Sequence, residues 1–92
     1  MRKLIDRCAG INVGQALLVV CVRVVSESGK LVQEIRLFGV TTRDLLVLRD
    51  WLASLGVTHV AMEFTGDVYW KAPYYMLEDA FEVLLVNADD TY

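Results

Sequence analysis

The segment Val60-Ala61-Met62-Glu63-Phe64-Thr65-Gly66-Asp67-Val68-Tyr69-Trp70 decides how this chain is read. A short apolar run (Val60, Ala61, Met62) ends in the carboxylate of Glu63, and the turn signal Thr65-Gly66-Asp67 follows at once. Two aromatics and Lys71 then lead into a helix. An acid at the end of a buried strand, beside a turn, combines rigidity with access, which suits a catalytic or metal-binding group. The plainer reading is a charged strand end that only meets solvent, as most charges on small domains do.

Working outward, Val57–Phe64 reads as a strand with His59 near its start. A lone histidine without cysteine or carboxylate partners at ligand spacing makes a poor metal ligand. Upstream, Thr41-Thr42-Arg43-Asp44 opens a helix, with Thr41 as N-cap and Asp44 three residues on, an approximate capping box. Leu45, Leu48, Leu52 and Leu55 follow as an apolar stripe flanked by Leu46 and Trp51, and Gly56 stands where a helix ends. Arg43, Arg49 and Asp50 form its solvated side. Downstream, Pro73 is tolerated only in a helix's first turn, so the second helix begins near Lys71 and runs to about Asp79, with Tyr74, Leu77 and Met76 inward. Phe81–Asn87 is a further strand, apolar on both faces, and Ala88–Tyr92 is a short acidic end.

Towards the N-terminus, Met1–Asp6 is polar and frayed by expectation. Arg7–Val13 is a short strand, and Gly14-Gln15 fits a two-residue turn with glycine leading. Ala16–Val25 is β-branched and apolar on both sides, which predicts a central strand covered on both faces. With that turn, Cys8 faces Cys21, within disulfide reach under oxidation; two small buried reduced thiols are the simpler reading. Ser26-Glu27-Ser28-Gly29-Lys30 is a turn by composition. In Leu31–Phe38, Leu31, Ile35 and Leu37 share one face, with Glu34 and Arg36 on the other beside Val32 and Phe38, as in a half-covered edge strand.

The whole chain has 92 residues, 55% apolar and 23% charged, with one proline and net charge −3, which makes one folded domain. Nine basic residues are scattered, the longest run being Arg2-Lys3, so strong nucleic-acid binding by this chain alone is not expected. There is no apolar run long enough to span a membrane and no signal-peptide core, so the expected location is cytoplasmic, with no membrane partner. The element order is β-β-β-α-β-α-β: a mixed five-stranded α/β sheet with helices packed on its faces, the ribonuclease H-like arrangement.

The residues carry a closer resemblance. Ala9-Gly10-Ile11-Asn12-Val13-Gly14, Gly56–Glu63, Thr65-Gly66, Val68-Tyr69-Trp70-Lys71 and Phe81–Asn87, in this order, resemble the N-terminal domain of the DEDD insertion-sequence transposases, RuvC-like DNA recombinases related to the Piv invertase. The resemblance runs from about Cys8 to Asn87. It implies a metal-dependent DNA strand-cleaving and strand-transferring enzyme that uses Mg²⁺ or Mn²⁺ held by four acids, and a structured guide RNA as partner beside DNA. It places Asn12 at the first acid position and Glu63 at the second. It also sets Thr65, Gly66, Tyr69, Trp70 and Lys71 in the family's motif beside the active site, where aromatics stack on bases and lysine meets phosphate; for Tyr69 and Trp70, packing at the strand–helix junction competes with that role.

The chain departs from the pattern in several places. Asn12 stands where the family has Asp, so cation affinity is expected to fall and activity with it. One extra residue near Thr65–Val68, Phe64 for a small residue, and Ala72 before Pro73 reshape the turn. The last two acids belong to a segment after the fifth strand, and Asp89 and Asp90 lie too close to that strand to serve. The expectation is a single RuvC-like domain over residues 1–92, an N-terminal part of a longer protein, weak or inactive alone. The alternative is a non-catalytic module that self-associates as a homodimer through strand Ala16–Val25 or a sheet edge. A third reading, an actin-like phosphotransferase suggested by Gly10-Ile11-Asn12-Val13-Gly14, needs two such domains and a second phosphate loop.

Overall fold

Three β-rich runs pair as an antiparallel meander: β1 (Arg7–Val13), β2 (Leu18–Val25) and β3 (Leu31–Phe38). The chain then crosses through helix α1 (Thr42–Ser54) to β4 (His59–Phe64), parallel to β1, and through α2 (Lys71–Leu77) to β5 (Glu82–Asn87), parallel to β4. The five strands lie in the order β3-β2-β1-β4-β5. The computed structural model describes residues 6–66 and 68–88. Residues 1–5 of the expected frayed start, Asp67 of the turn after β4, and residues 89–92 of the acidic end, Asp89 and Asp90 among them, lie outside them; Asp6 is tied down, its carbonyl accepting the Val25 N–H at 2.8 Å.

Helix α1 is built as its sequence demands. The Thr41 hydroxyl accepts the Asp44 backbone N–H at 3.1 Å, which satisfies one of the free donors at the helix start. Leu45, Leu48 and Leu52 are buried against the sheet. At the other end Gly56 takes φ +71°, Gly56 N–H donates to the Ala53 carbonyl and Val57 N–H to the Leu52 carbonyl. That is the double bond pattern of a left-handed glycine stop. The Arg7 guanidinium completes it by donating to the Leu55 carbonyl at 2.7 Å, tying the helix end to β1.

Both helices sit on one face of the sheet. The core joins Ala9 and Ile11 of β1, Leu18, Val20 and Val22 of β2, and Val60 and Met62 of β4 to the α1 leucines and to Leu77 of α2. These strand positions alternate strictly, so the residues between them face the opposite side, which no described residue covers. The expectation that Ala16–Val25 is covered on both faces is therefore corrected. Val19 and Arg23 are exposed and Cys21 only half-buried. Strict alternation and two-sided burial cannot be told apart in a strand whose exposed face is also apolar.

The β1–β2 connection is also corrected. It is a four-residue loop, Gly14 to Leu17, closed by the Gly14 N–H donating to the Leu17 carbonyl at 2.9 Å, and not a two-residue turn. The register moves by two: Cys8 pairs with Arg23, and Cys21 pairs with Gly10. Cys8 and Cys21 are thus diagonal neighbours on the uncovered face, free and half-buried rather than opposite and buried. At the edge strand β3, the alternation is as read but the covered side is the polar one. Arg36 pairs with Glu34 and lies 4.4 Å over the Trp51 ring of α1, while Leu31, Ile35 and Leu37 look out from the uncovered face.

Candidate functional site

Register turns the uncovered face into three rungs that run across the sheet from β3 to β5. The first is Gln33, Arg23, Cys8, His59, Glu82. The second is Ile35, Cys21, Gly10, Ala61, Leu84, and the third is Leu37, Val19, Asn12, Glu63, Val86. The third rung lies towards the C-terminal ends of the parallel strands β1 and β4, where open α/β sheets place their ligands.

Asn12 and Glu63 are direct partners in that rung, on adjacent parallel strands, both exposed on the same side. They line one shallow depression of about 310 Å³ together with Val19, Cys21, Ala61 and Val86. The floor is glycine at Gly10, where no atom stands within 4 Å of a would-be Cβ on this side. The two positions therefore border one depression, set side by side by backbone pairing rather than by a loop. What they offer is oxygen only, one carboxylate and one amide. That is the right chemistry for Mg²⁺ or Mn²⁺, which favour oxygen ligands and keep several waters. The charge falls short. A pair of ions held by one carboxylate is not a sound centre, and among the described residues no group of three or more His, Cys, Asp or Glu is placed to hold a metal.

The turn residues are dispersed relative to this pair. Phe64 follows Glu63, so its ring falls on the helix side, and Trp70 packs on it at 5.4 Å and on Tyr74 at 5.7 Å. Trp70 belongs to the margin of the core, on the side of the sheet away from Asn12 and Glu63. Its ring is half-buried there, between Phe64 and Tyr74. Thr65, Gly66, Tyr69 and Lys71 are exposed, and none lines the Asn12–Glu63 depression. Gly66 has φ +80°, a backbone that glycine adopts without strain.

A second, larger depression of about 620 Å³ lies over the first two rungs, floored by Cys8, Gly10, Cys21 and Ala61 and rimmed by Arg23, His59 and Glu82. Sequence reading passed over Arg23 and Glu82, because only the pairing register shows that they stand at opposite ends of one rung. His59 has its Nδ1 2.7 Å from the Thr58 hydroxyl.

No protein-family model and no curated protein matches the sequence. Solved structures do match in fold. The T. thermophilus RuvC, solved in complex with a Holliday junction substrate, superposes with TM-score 0.64 at 13% identity over 90% of this chain. The fowlpox virus Holliday junction resolvase gives 0.61 at 14% over 88%. The fold is RuvC-like. It is the ribonuclease H-like α/β arrangement, a mixed five-stranded sheet with two helices. This chain spans 66% and 60% of those two chains. The RuvC-like fold is shared more widely, since an exopolyphosphatase from Cytophaga hutchinsonii matches at 0.55 and 14% identity over 90% of this chain. Among the described residues no helix is long and apolar enough to cross a membrane.

Proposed function

We propose that this chain is the N-terminal RuvC-like portion of a DNA transposase or recombinase of the DEDD type, carrying a cleavage centre that lacks its full set of acids. The observation behind this reading is the side-by-side placement of Asn12 and Glu63 on adjacent parallel strands of a RuvC-like sheet. These are the two positions at which the family resemblance puts its first two acids. In the whole protein the remaining acids come from a later segment, the substrate is DNA, and a guide RNA directs it; the later acids and the guide RNA rest on the resemblance alone.

Carboxylate-held Mg²⁺ or Mn²⁺ supplies activation of the attacking oxygen and stabilisation of the leaving one in such enzymes. The described residues do not assemble that centre, so no cleavage step is assigned to them. With a net charge of −3 it also brings no concentrated basic surface to DNA. Incubation with labelled junction and linear DNA in Mg²⁺ or Mn²⁺ tests the proposal. The chain as written leaves the DNA intact. Robust nicking that Glu63→Gln abolishes would show a complete centre and refute this account of it. The Asn12→Asp chain, in turn, gains a Mn²⁺ site that Glu63→Gln removes. An unchanged Mn²⁺ affinity would remove the reason for reading the two positions as one site.

A further inference from the structure

The uncovered face carries two thiols that the proposed cleavage centre does not use. Cys8 stands on β1 in the first rung and Cys21 on β2 in the second. Both are free and half-buried, and both border the depression of about 620 Å³. The register sets their spacing. Cys8 pairs with Arg23 and Cys21 with Gly10, so the thiols are diagonal neighbours across one antiparallel pair, about 7–8 Å apart at Cα. A disulfide needs its Cα atoms within about 4.4–6.8 Å and its sulfurs at about 2.05 Å, so this pair does not close without backbone movement. A cation between the sulfurs relaxes that demand. With metal–sulfur bonds of about 2.3 Å, a cation held in line by two thiolates sets the sulfurs about 4.6 Å apart. Each side chain then leans about 1.5 Å along the diagonal, well within the reach of a cysteine. The room beside the diagonal is free, because Gly10 has no side chain and nothing stands within 4 Å of the place its Cβ would take.

We propose that Cys8 and Cys21 form a two-thiolate site for a soft, closed-shell monovalent cation, Cu(I), with Ag(I) as its chemical equivalent. Thiolates select Cu(I) among the metals that proteins bind. Two donors in line suffice for it, whereas a structural Zn²⁺ asks for four in a tetrahedron. No third donor is at hand. His59 lies on β4, on the other side of Cys8, two strands and about 10 Å from Cys21. Its Nδ1 is engaged with the Thr58 hydroxyl at 2.7 Å. Among the described residues no group of three or more His, Cys, Asp or Glu is placed to hold a metal, which disfavours Zn²⁺ and leaves the two-coordinate ion.

Binding exchanges two S–H bonds for two metal–sulfur bonds. Both protons pass to solvent and no electron moves. The loaded site, two thiolates and one monovalent cation, carries a charge of about −1. Arg23, exposed beside Cys8 as its register partner, stands ready with the opposite charge. The donors are sulfur on the first two rungs, whereas Asn12 and Glu63 offer oxygen on the third, so the site is chemically separate from the cleavage centre. One ion between two half-buried side chains leaves the rest of the face open.

Anaerobic titration of the reduced 92-residue chain with Cu(I), in competition with a chromophoric Cu(I) chelator, tests this. Sedimentation velocity reports the size of the loaded species, and circular dichroism the fold of each variant. One Cu(I) binds per chain, and loading leaves the sedimentation coefficient unchanged. Ag(I) gives the same stoichiometry, and equimolar Zn²⁺ does not compete. Cys8→Ser and Cys21→Ser each weaken binding about a hundredfold or more. Cys8→Ala and Cys21→Ala give the same loss where serine disturbs the fold. His59→Ala and Glu63→Gln leave the affinity within about threefold of the parent. Two ions per chain overturn the proposal, because each thiol then acts alone. So does association of chains on loading, which puts the ion between molecules, or weakening by Glu63→Gln, which puts it on the third rung. Loss of two hydrogens in mass on treatment with a small-molecule disulfide, with the circular dichroism unchanged, would show that the thiols bond directly and would overturn the spacing argument.

Discussion

Replacing Asn12 by Asp changes one uncharged oxygen for a full charge at a position fixed beside Glu63 by the β1–β4 register. Two consequences follow, and their signs are opposite. Without metal, two carboxylates on neighbouring strands stand about 5 Å apart, and at the dielectric of water their repulsion is about 0.8 kcal/mol. A domain of this size loses about 4–8 °C of melting temperature per kcal/mol, so the metal-free variant should melt about 3–6 °C lower at low ionic strength. With metal, a dication about 3 Å from the added charge gains about 2.8 kcal/mol at the same dielectric, worth roughly a hundredfold in affinity. The parent amide already lends its oxygen and water screens the site, so a gain of about tenfold to a hundredfold is expected. Calorimetric titration with Mn²⁺, repeated in the Glu63→Gln background, measures the gain. Thermal melts with and without Mn²⁺ read the reversal. The reasoning fails if affinity is unchanged, if Glu63→Gln leaves the new site intact, or if the variant melts with the parent in metal-free buffer. Each of those means that the two side chains do not share a point.

Leu48 is fully buried between α1 and the sheet, so Leu48→Ala should cost about 2–5 kcal/mol in a urea titration. Gly56→Ala should destabilise by about 1 kcal/mol or more, because φ is +71° and an added Cβ would stand 3.2 Å from the Arg7 side chain that caps the helix end. Trp70→Ala should lower the melting temperature by several degrees through lost packing on Phe64 and Tyr74, whereas Tyr69→Ala, at an exposed position, should leave it within about one degree.

The elements themselves were legible because their signals are local. Thr41, the leucine spacing and Gly56 specify α1 from within its own thirteen residues and their flanks, and Pro73 marks the start of α2. The β1–β2 register was not legible. Gly14-Gln15 satisfies a short turn as well as the longer loop does, and a shift of two residues keeps every side chain on the same face, so the apolar alternation does not select between the two registers. The Arg7 contact with Leu55 spans 48 positions and leaves no local trace. Asn12 and Glu63 could be named because the motifs carry them, but their adjacency is a property of the parallel pairing that α1 makes possible. Trp70, for which both packing and a nucleic-acid contact were open, packs on Phe64 on the helix side of the sheet, where the strand alternation at Phe64 holds it.

The apolar character of β2 and β5 carries the most consequence, since it admits two readings with different biology. A continuous apolar strand means burial on both faces when the covering element belongs to the same domain. Here both crossover helices lie on one side, and Val19, Cys21 and Leu84 are left on the other. The third rung of that open face carries Asn12 beside Glu63. An Asp at position 12 would put a second charge beside Glu63, which is what a cation such as Mg²⁺ or Mn²⁺ needs, whereas the Asn leaves one carboxylate.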